Sequence, residues 1–192
     1  MKVAWDISHQ EFTIEDDYYF SKLKKYSKKE GIQIFEIKKF SELQKFEVLV
    51  FNYPEKHFLK KEIQLIKKWQ KEGKKMIFTG YYLNEDKVAE IINNVLSGIA
   101  SLKINYDRLI SKKYFFEEPL FVLTQCRKFR VLMPCSASVK GGKPFLKTFS
   151  GKPVGTKEKN IYLLGTCVFW DNFSIDKFDN KKFSLKLLKE KI

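Results

Sequence analysis

The chain has 192 residues, 44% of them hydrophobic and 18 of them phenylalanine, which is enough for a sizeable core and excludes extended disorder. Its net charge is +14, yet among 37 basic residues only Arg108, Arg127 and Arg130 are arginine. Arginine is the usual reader of base edges and two-pronged binder of phosphate, so nucleic-acid binding is disfavoured.

Cys126, Cys135 and Cys167 show no CxxC spacing, which predicts neither a disulfide framework nor a zinc knuckle. They read as small buried hydrophobes in a reducing compartment. No apolar leader and no run of membrane-spanning length occurs. The expectation is a cytoplasmic single domain over 1–192, without membrane contact and without a cofactor, its oligomeric state left open. Lysine and glutamate enrichment is also a thermophile-like trait.

Lys2 to Ile7 is short, β-branched and aromatic, a buried first strand. It runs into Asp6, Ser8, His9 and Glu11, a polar cluster holding one of the two histidines. Open α/β sheets place their ligand crevice at such a strand end. Thr13 to Asp16 has the form of a capping box and predicts a helix from Glu15 to Lys29, with Tyr19, Leu23 and Tyr26 inward. Ile32 to Ile37 is the second strand, Ser41 to Gln44 a helical turn, and Phe46 to Phe51 a buried third strand. The loop Asn52 to His57 leads to an amphipathic helix from Phe58 to Glu72, with Ile63, Ile66 and Trp69 on one stripe. Met76 to Thr79 is the fourth strand, and Asn84 caps a helix with Val88, Ile91, Ile92, Val95 and Leu96 inward.

This alternation predicts a flavodoxin-like α/β fold, a three-layer sandwich around a mostly parallel, doubly wound sheet of order 2-1-3-4. From Leu102 the texture changes. Lys103 to Ile110, Leu120 to Thr124, Phe129 to Met133 and Phe145 to Phe149 read as strands without helices between them, an antiparallel extension. Lys152 to Asn160 reads as a mobile turn, Ile161 to Phe169 as a buried strand, and Lys181 to Lys191 as the last helix.

Three stretches carry a resemblance. They are the strand end D-x-S-H-x-E (Asp6, Ser8, His9, Glu11), the strand, proline loop and helix from Val48 to Trp69, and the final strand, acidic loop and helix from Ile161 to Phe183. Together they resemble the glutamine-amidotransferase-like domains of the gliding-motility and intraflagellar-transport type, and related prokaryotic domains. The resemblance implies a flavodoxin-like fold and a role in binding carbohydrate or another small ligand, or in assemblies, rather than catalysis. Here the domain is expected to stand free of the transport and assembly regions.

Class I amidotransferases need a cysteine in a tight elbow and a later histidine to activate it. The elbow position here reads Thr79-Gly80-Tyr81-Tyr82, and no histidine follows His57. Amidotransfer is therefore excluded. The favoured reading is a crevice for a small polar ligand or a protein partner. It is lined by Asp6, Ser8, His9, Glu11, Tyr53, Glu55, Tyr81, Tyr82, Trp170 and Asp171, because aromatic faces beside carboxylates suit stacking on a sugar. The alternative is a divalent-metal-assisted hydrolase using Asp6, His9 and Glu11, with Glu55, His57 and Asp171 at neighbouring strand ends. Against both stands a plainer account, in which Asp6 and His9 satisfy backbone groups and the tyrosines cover the sheet edge. Lysine-mediated nucleic-acid binding ranks third.

Overall fold

A computed structural model describes residues 1–190 of the chain. Strand β1 (Lys2–Asp6) leads through helix α1 (Ser21–Lys29) to β2 (Gln33–Ile37), and then to β3 (Val48–Asn52). Helix α2 (Lys60–Lys71), β4 (Lys75–Thr79) and α3 (Val88–Leu96) follow. The next stretch is all β: β5 (Lys103–Ile104), β6 (Phe115–Phe116), β7 (Glu118–Cys126), β8 (Phe129–Pro134), β9 (Val139–Lys140), β10 (Lys143–Thr148), β11 (Pro153–Glu158) and β12 (Ile161–Leu164). Helix α4 (Asn180–Lys189) closes the described chain.

Ten strands form one sheet in the order β2-β1-β3-β4-β12-β11-β10-β7-β6, with β8 paired to β7. The strands β2, β1, β3, β4 and β12 are mutually parallel, and antiparallel pairing begins at β11. The order 2-1-3-4 therefore holds, and the chain reverses direction across the sheet between β1 and β3. This mixed α/β architecture, with its large parallel half and antiparallel extension, is consistent with a flavodoxin-like fold.

Side chains alternate across the sheet as the strand period of two requires. Val3 and Trp5 of β1 pack with Leu23 of α1 and with Phe183, Leu187 and Leu188 of α4. Ala4 faces the other way, with Ile66 and Trp69 of α2 and Ile91, Ile92 and Val95 of α3. Both cores are fully buried, so helices cover both faces of the parallel half. None of the described helices is long and apolar enough to cross a membrane.

Five expectations fail for local reasons. The first helix starts at Ser21, because the side chains of Thr13 and Asp16 bind nearby backbone. Thr13 Oγ1 accepts the Glu15 N–H at 3.0 Å and donates to Glu36, while Asp16 accepts the Tyr18 N–H at 2.7 Å. Ile14 and Phe20 are buried in place of Tyr19, which is exposed. Only Lys103 and Ile104 of the predicted strand to Ile110 pair, and they do so with β9 in a separate two-stranded sheet.

The segment expected to be a mobile turn contains β11, hydrogen-bonded between β10 and β12 with Val154, Gly155 and Thr156 buried. Its glycine and charges look turn-like, but Gly155 makes room for the Phe145 ring, which would lie 3.0 Å from an added Cβ. The last strand stops at Leu164, where Gly165 lies so close to Ala137 that a Cβ would stand 2.0 Å from its carbonyl oxygen. The predicted end of the closing helix at Lys191 lies outside the described residues.

Asn180, at the start of α4, joins the two halves. Its fully buried carboxamide accepts the Leu132 N–H at 2.7 Å and donates to the Leu132 and Phe169 carbonyls at 2.8 and 2.6 Å. Removing it strands three buried backbone groups, each worth about 1–3 kcal/mol when unpaired. Asn180→Ala is expected to lower the unfolding free energy in urea by about 3 kcal/mol or more, and a loss below about 1 kcal/mol would contradict this reading.

Candidate functional site

The polar residues after β1 form one buried cluster. Asp6, His9 and Glu11 are 0%, 3% and 7% exposed. Asp6 Oδ1 accepts the Ser8 N–H at 3.1 Å and the Ser8 hydroxyl at 2.7 Å, which turns the loop back on the strand end. His9 Nδ1 lies 2.9 Å from Asp6 Oδ2 and 3.0 Å from Ser8 Oγ. The His9 N–H donates to Glu11 Oε2 at 2.8 Å. On the far side of the ring, Nε2 lies 3.2 Å from Glu62 Oε2. Glu62 is itself fixed, since the same oxygen accepts the Leu59 N–H at 2.7 Å at the start of α2.

Phe58 stacks on the imidazole with centroids 3.8 Å apart, and the Phe40 ring meets it edge-on at 5.3 Å. The His9 carbonyl accepts the N–H groups of Glu55 and Lys56, tying the β3 loop to the β1 loop. Burial, then the neighbouring Asp6 carboxyl, pushes the Glu11 carboxyl up to about 10. No donor reaches Glu11 Oε1. In chemical terms the three ligand-type atoms of Asp6, His9 and Glu11, all within 4.8 Å of one another, could hold a metal ion.

None of these residues lines the open cavity next to them. That cavity, of about 670 Å³, lies at the carboxyl edge of the sheet. Tyr53 and Tyr81, which follow β3 and β4, form one wall, and the rings of Phe12, Tyr18 and Tyr19 form another. Ring contacts of 4.8–5.4 Å run from Tyr18 through Tyr19, Phe12, Tyr53 and Tyr81 to Tyr82. Glu85, Asp86, Asp171 and Asn172 supply the polar lining. Among the described residues no lysine or arginine lines it, although the whole chain carries +14.

The geometry of this wall is fixed from beneath. The Tyr53 hydroxyl donates to Asp86 at 2.8 Å, and both burial and that carboxylate push its ionisation up. Asn52 Oδ1, fully buried at the end of β3, accepts from Thr79 Oγ1 at 2.7 Å and from Trp170 Nε1 at 3.0 Å. Asp171 Oδ1 accepts the Ser174 N–H at 2.7 Å, and burial raises the Asp171 carboxyl to about 6. Leu83, Asn84, Asp86 and Lys87 all have positive φ, in the segment that presents Glu85 and Asp86. Such strain in non-glycine residues costs about 1–3 kcal/mol each and tends to gather at ligand sites.

The sequence-predicted site thus divides in two. Asp6, Ser8, His9 and Glu11 come together in the cluster, while Tyr53, Tyr81 and Asp171 line the crevice. Tyr82 ends the row of rings outside it. Glu55 and His57 are exposed on their loop. Trp170 is fully buried against Trp5 and Phe169 in the core, because the chain turns inward after Gly165. Glu62, Phe58, Glu85, Asp86 and Asn172 were missed. Of these, only Glu62 left a signal, as an acid in the first turn of a helix.

Tyr81 lies just beyond the end of β4 at Thr79, and no cysteine stands at that strand end. Cys167 is buried beside the crevice with its thiol pushed well up by desolvation, and burial likewise raises Cys135. Neither is poised as a thiolate.

These features define an α/β domain whose fold neighbours include amidotransferase-like proteins. A solved "mmIFT52 N-terminal domain" superposes with a TM-score of 0.80 at 19% identity, covering 100% of this chain and 99% of that one. A crystal structure of a glutamine amidotransferase superposes at 0.56 with 14% identity, covering 97% and 98%. At these identities the likeness concerns the fold. By sequence, the chain belongs to the same family as an uncharacterized protein of Aquifex aeolicus (strain VF5), 36% identical over 226 residues, with 98% of this chain and 93% of that one covered. No family model matches the chain.

The two histidines give a test of the cluster. Removing a partner from a buried ion pair costs about 3–5 kcal/mol, whereas exposed positions move stability by about 0.5 kcal/mol or less. His9→Ala is expected to lower the unfolding free energy by at least about 3 kcal/mol and His57→Ala to leave it unchanged, by denaturant titration. Equal effects would contradict the clamp described here.

Proposed function

We propose that the crevice at the carboxyl edge of the sheet binds a small polar, uncharged ligand, with a carbohydrate as the chemistry it fits best. The observation that carries this reading is the lining itself: tyrosine and phenylalanine faces beside three carboxylates and an amide, with no basic residue in a strongly basic chain. Ring faces stack on the apolar faces of a sugar, and carboxylates and amides accept its hydroxyls. The same carboxylates repel phosphates and other anions. The volume, about 670 Å³, is that of an ordinary small-molecule site. The position at the chain reversal between β1 and β3 is the usual one for ligands of open α/β sheets. The reading is of a binding domain without catalysis.

A ligand that binds only the folded state raises the melting temperature. Neutral mono- and disaccharides, the matching sugar phosphates and simple organic amines form the discriminating panel. A neutral sugar is expected to raise Tm and its phosphate to leave it unmoved, with the shift lost in Asp171→Asn and in Tyr81→Ala. Shifts by anions alone, or shifts that survive both substitutions, would overturn the reading; shifts by amines alone would replace the sugar with a cation.

The pH dependence follows from Asp171. Its carboxyl is raised to about 6, so it is ionised and accepts hydroxyls at pH 7.5, and takes up a proton as the pH falls through 6. Affinity measured by calorimetry is expected to fall severalfold between pH 7.5 and 5, and a flat profile over that range would contradict the role given to Asp171.

A further inference from the structure

We propose that Asp6, His9 and Glu11 form a binding site for one divalent first-row transition ion, with Zn²⁺ as the reference case, and that the ion locks the loop after β1. The ligands would be Asp6 Oδ2, His9 Nδ1 and Glu11 Oε1. Their separations, 2.9 Å from Nδ1 to Oδ2, 3.9 Å from Nδ1 to Oε1 and at most 4.8 Å overall, are close to those of three donors around one ion. Around a tetrahedral ion with bonds of about 2.0–2.2 Å the donors lie about 3.3–3.6 Å apart, so the widest pair would close by roughly 1 Å or more on binding.

Three features support the site independently of that spacing. The first is Glu11 Oε1, on a side chain with no solvent exposure, which no donor satisfies and which faces the imidazole. A buried polar atom without a hydrogen-bond partner is costly, and a cation would meet it. The second is the support behind the ring: Glu62 Oε2 lies 3.2 Å from His9 Nε2, on the nitrogen turned away from Asp6 and Glu11. A carboxylate on the distal ring nitrogen is also the usual support of a metal-bound histidine.

The third feature is the crowding of acids. Among the described residues, the carboxyl groups of Asp6, Glu11 and Glu62 all face the single imidazole of His9. The donor set of one nitrogen and two oxygens suits Zn²⁺ or Mn²⁺ better than a thiol-seeking ion. Phe58 and Phe40 wall the imidazole, and none of the three ligands lines the crevice. The ion is therefore assigned a structural task and not the hydrolytic one considered from the sequence.

The test is calorimetry and thermal shift on the chelator-treated full chain with Zn²⁺ alone. One Zn²⁺ per chain and a raised Tm are expected, with affinity at least tenfold weaker in Glu11→Gln. Glu62→Gln, which would not touch the ion, should weaken it about 10–100-fold. No binding to the folded wild type, or unchanged affinity in Glu11→Gln, would overturn the proposal. Should either variant fail to fold, Co²⁺ loaded into the wild type decides: a visible spectrum of nitrogen and oxygen ligation supports the site, and thiolate charge-transfer bands place the ion on cysteines and refute it.

Discussion

The imidazole of His9 holds the carboxyl edge of this sheet together. It is bonded to the strand that carries it through Asp6 and Ser8, to helix α2 through Glu62, and to the aromatic wall through Phe58. Its own backbone carbonyl secures the loop after β3. Buried polar networks of this kind rigidify a fold when every member is satisfied and are costly when one is not. Here every group has a partner except Glu11 Oε1, and that exception points toward a cation.

Rigidity at His9 is transmitted to the neighbouring crevice by packing. Phe12, three residues beyond, contacts Tyr53, whose hydroxyl fixes Asp86 and whose ring meets Tyr81. Beneath them Asn52 joins the ends of β3 and β4 to Trp170. The crevice is thus a set of aromatic faces held at fixed angles, with an acidic lining in an otherwise basic molecule. Long-range attraction from the lysine surface would favour anions near the protein, but the local carboxylates decide what enters, because close contacts outweigh screened charges beyond about 10 Å.

Much of this was legible in the sequence. The alternation of strands and helices through Leu96 carries the order 2-1-3-4, and the spacing of Asp6, Ser8, His9 and Glu11 in one loop made their meeting legible. Long-range partners were not. Glu62 comes from another element, 53 residues from His9, and reads as a solvated helix charge. Tyr18 and Tyr19 belong to a segment whose side chains bind local backbone, so the capping-box pattern misled. Asp86 reaches the crevice through left-handed backbone that no propensity foretells. Trp170 follows an apolar run and reads as a strand-end ring, yet the close approach of Gly165 to Ala137 ends that strand early and folds the tryptophan into the core.

Amide chemical-shift mapping separates the sealed cluster from the open crevice. Isotope-labelled protein would be titrated with the neutral sugar that raises Tm most. The amides of Tyr53, Tyr81 and Asn172 are expected to move with saturation while those of Ser8, His9 and Glu11 stay in place. Movement centred on Ser8 to Glu11, with the tyrosine wall unperturbed, would contradict that separation.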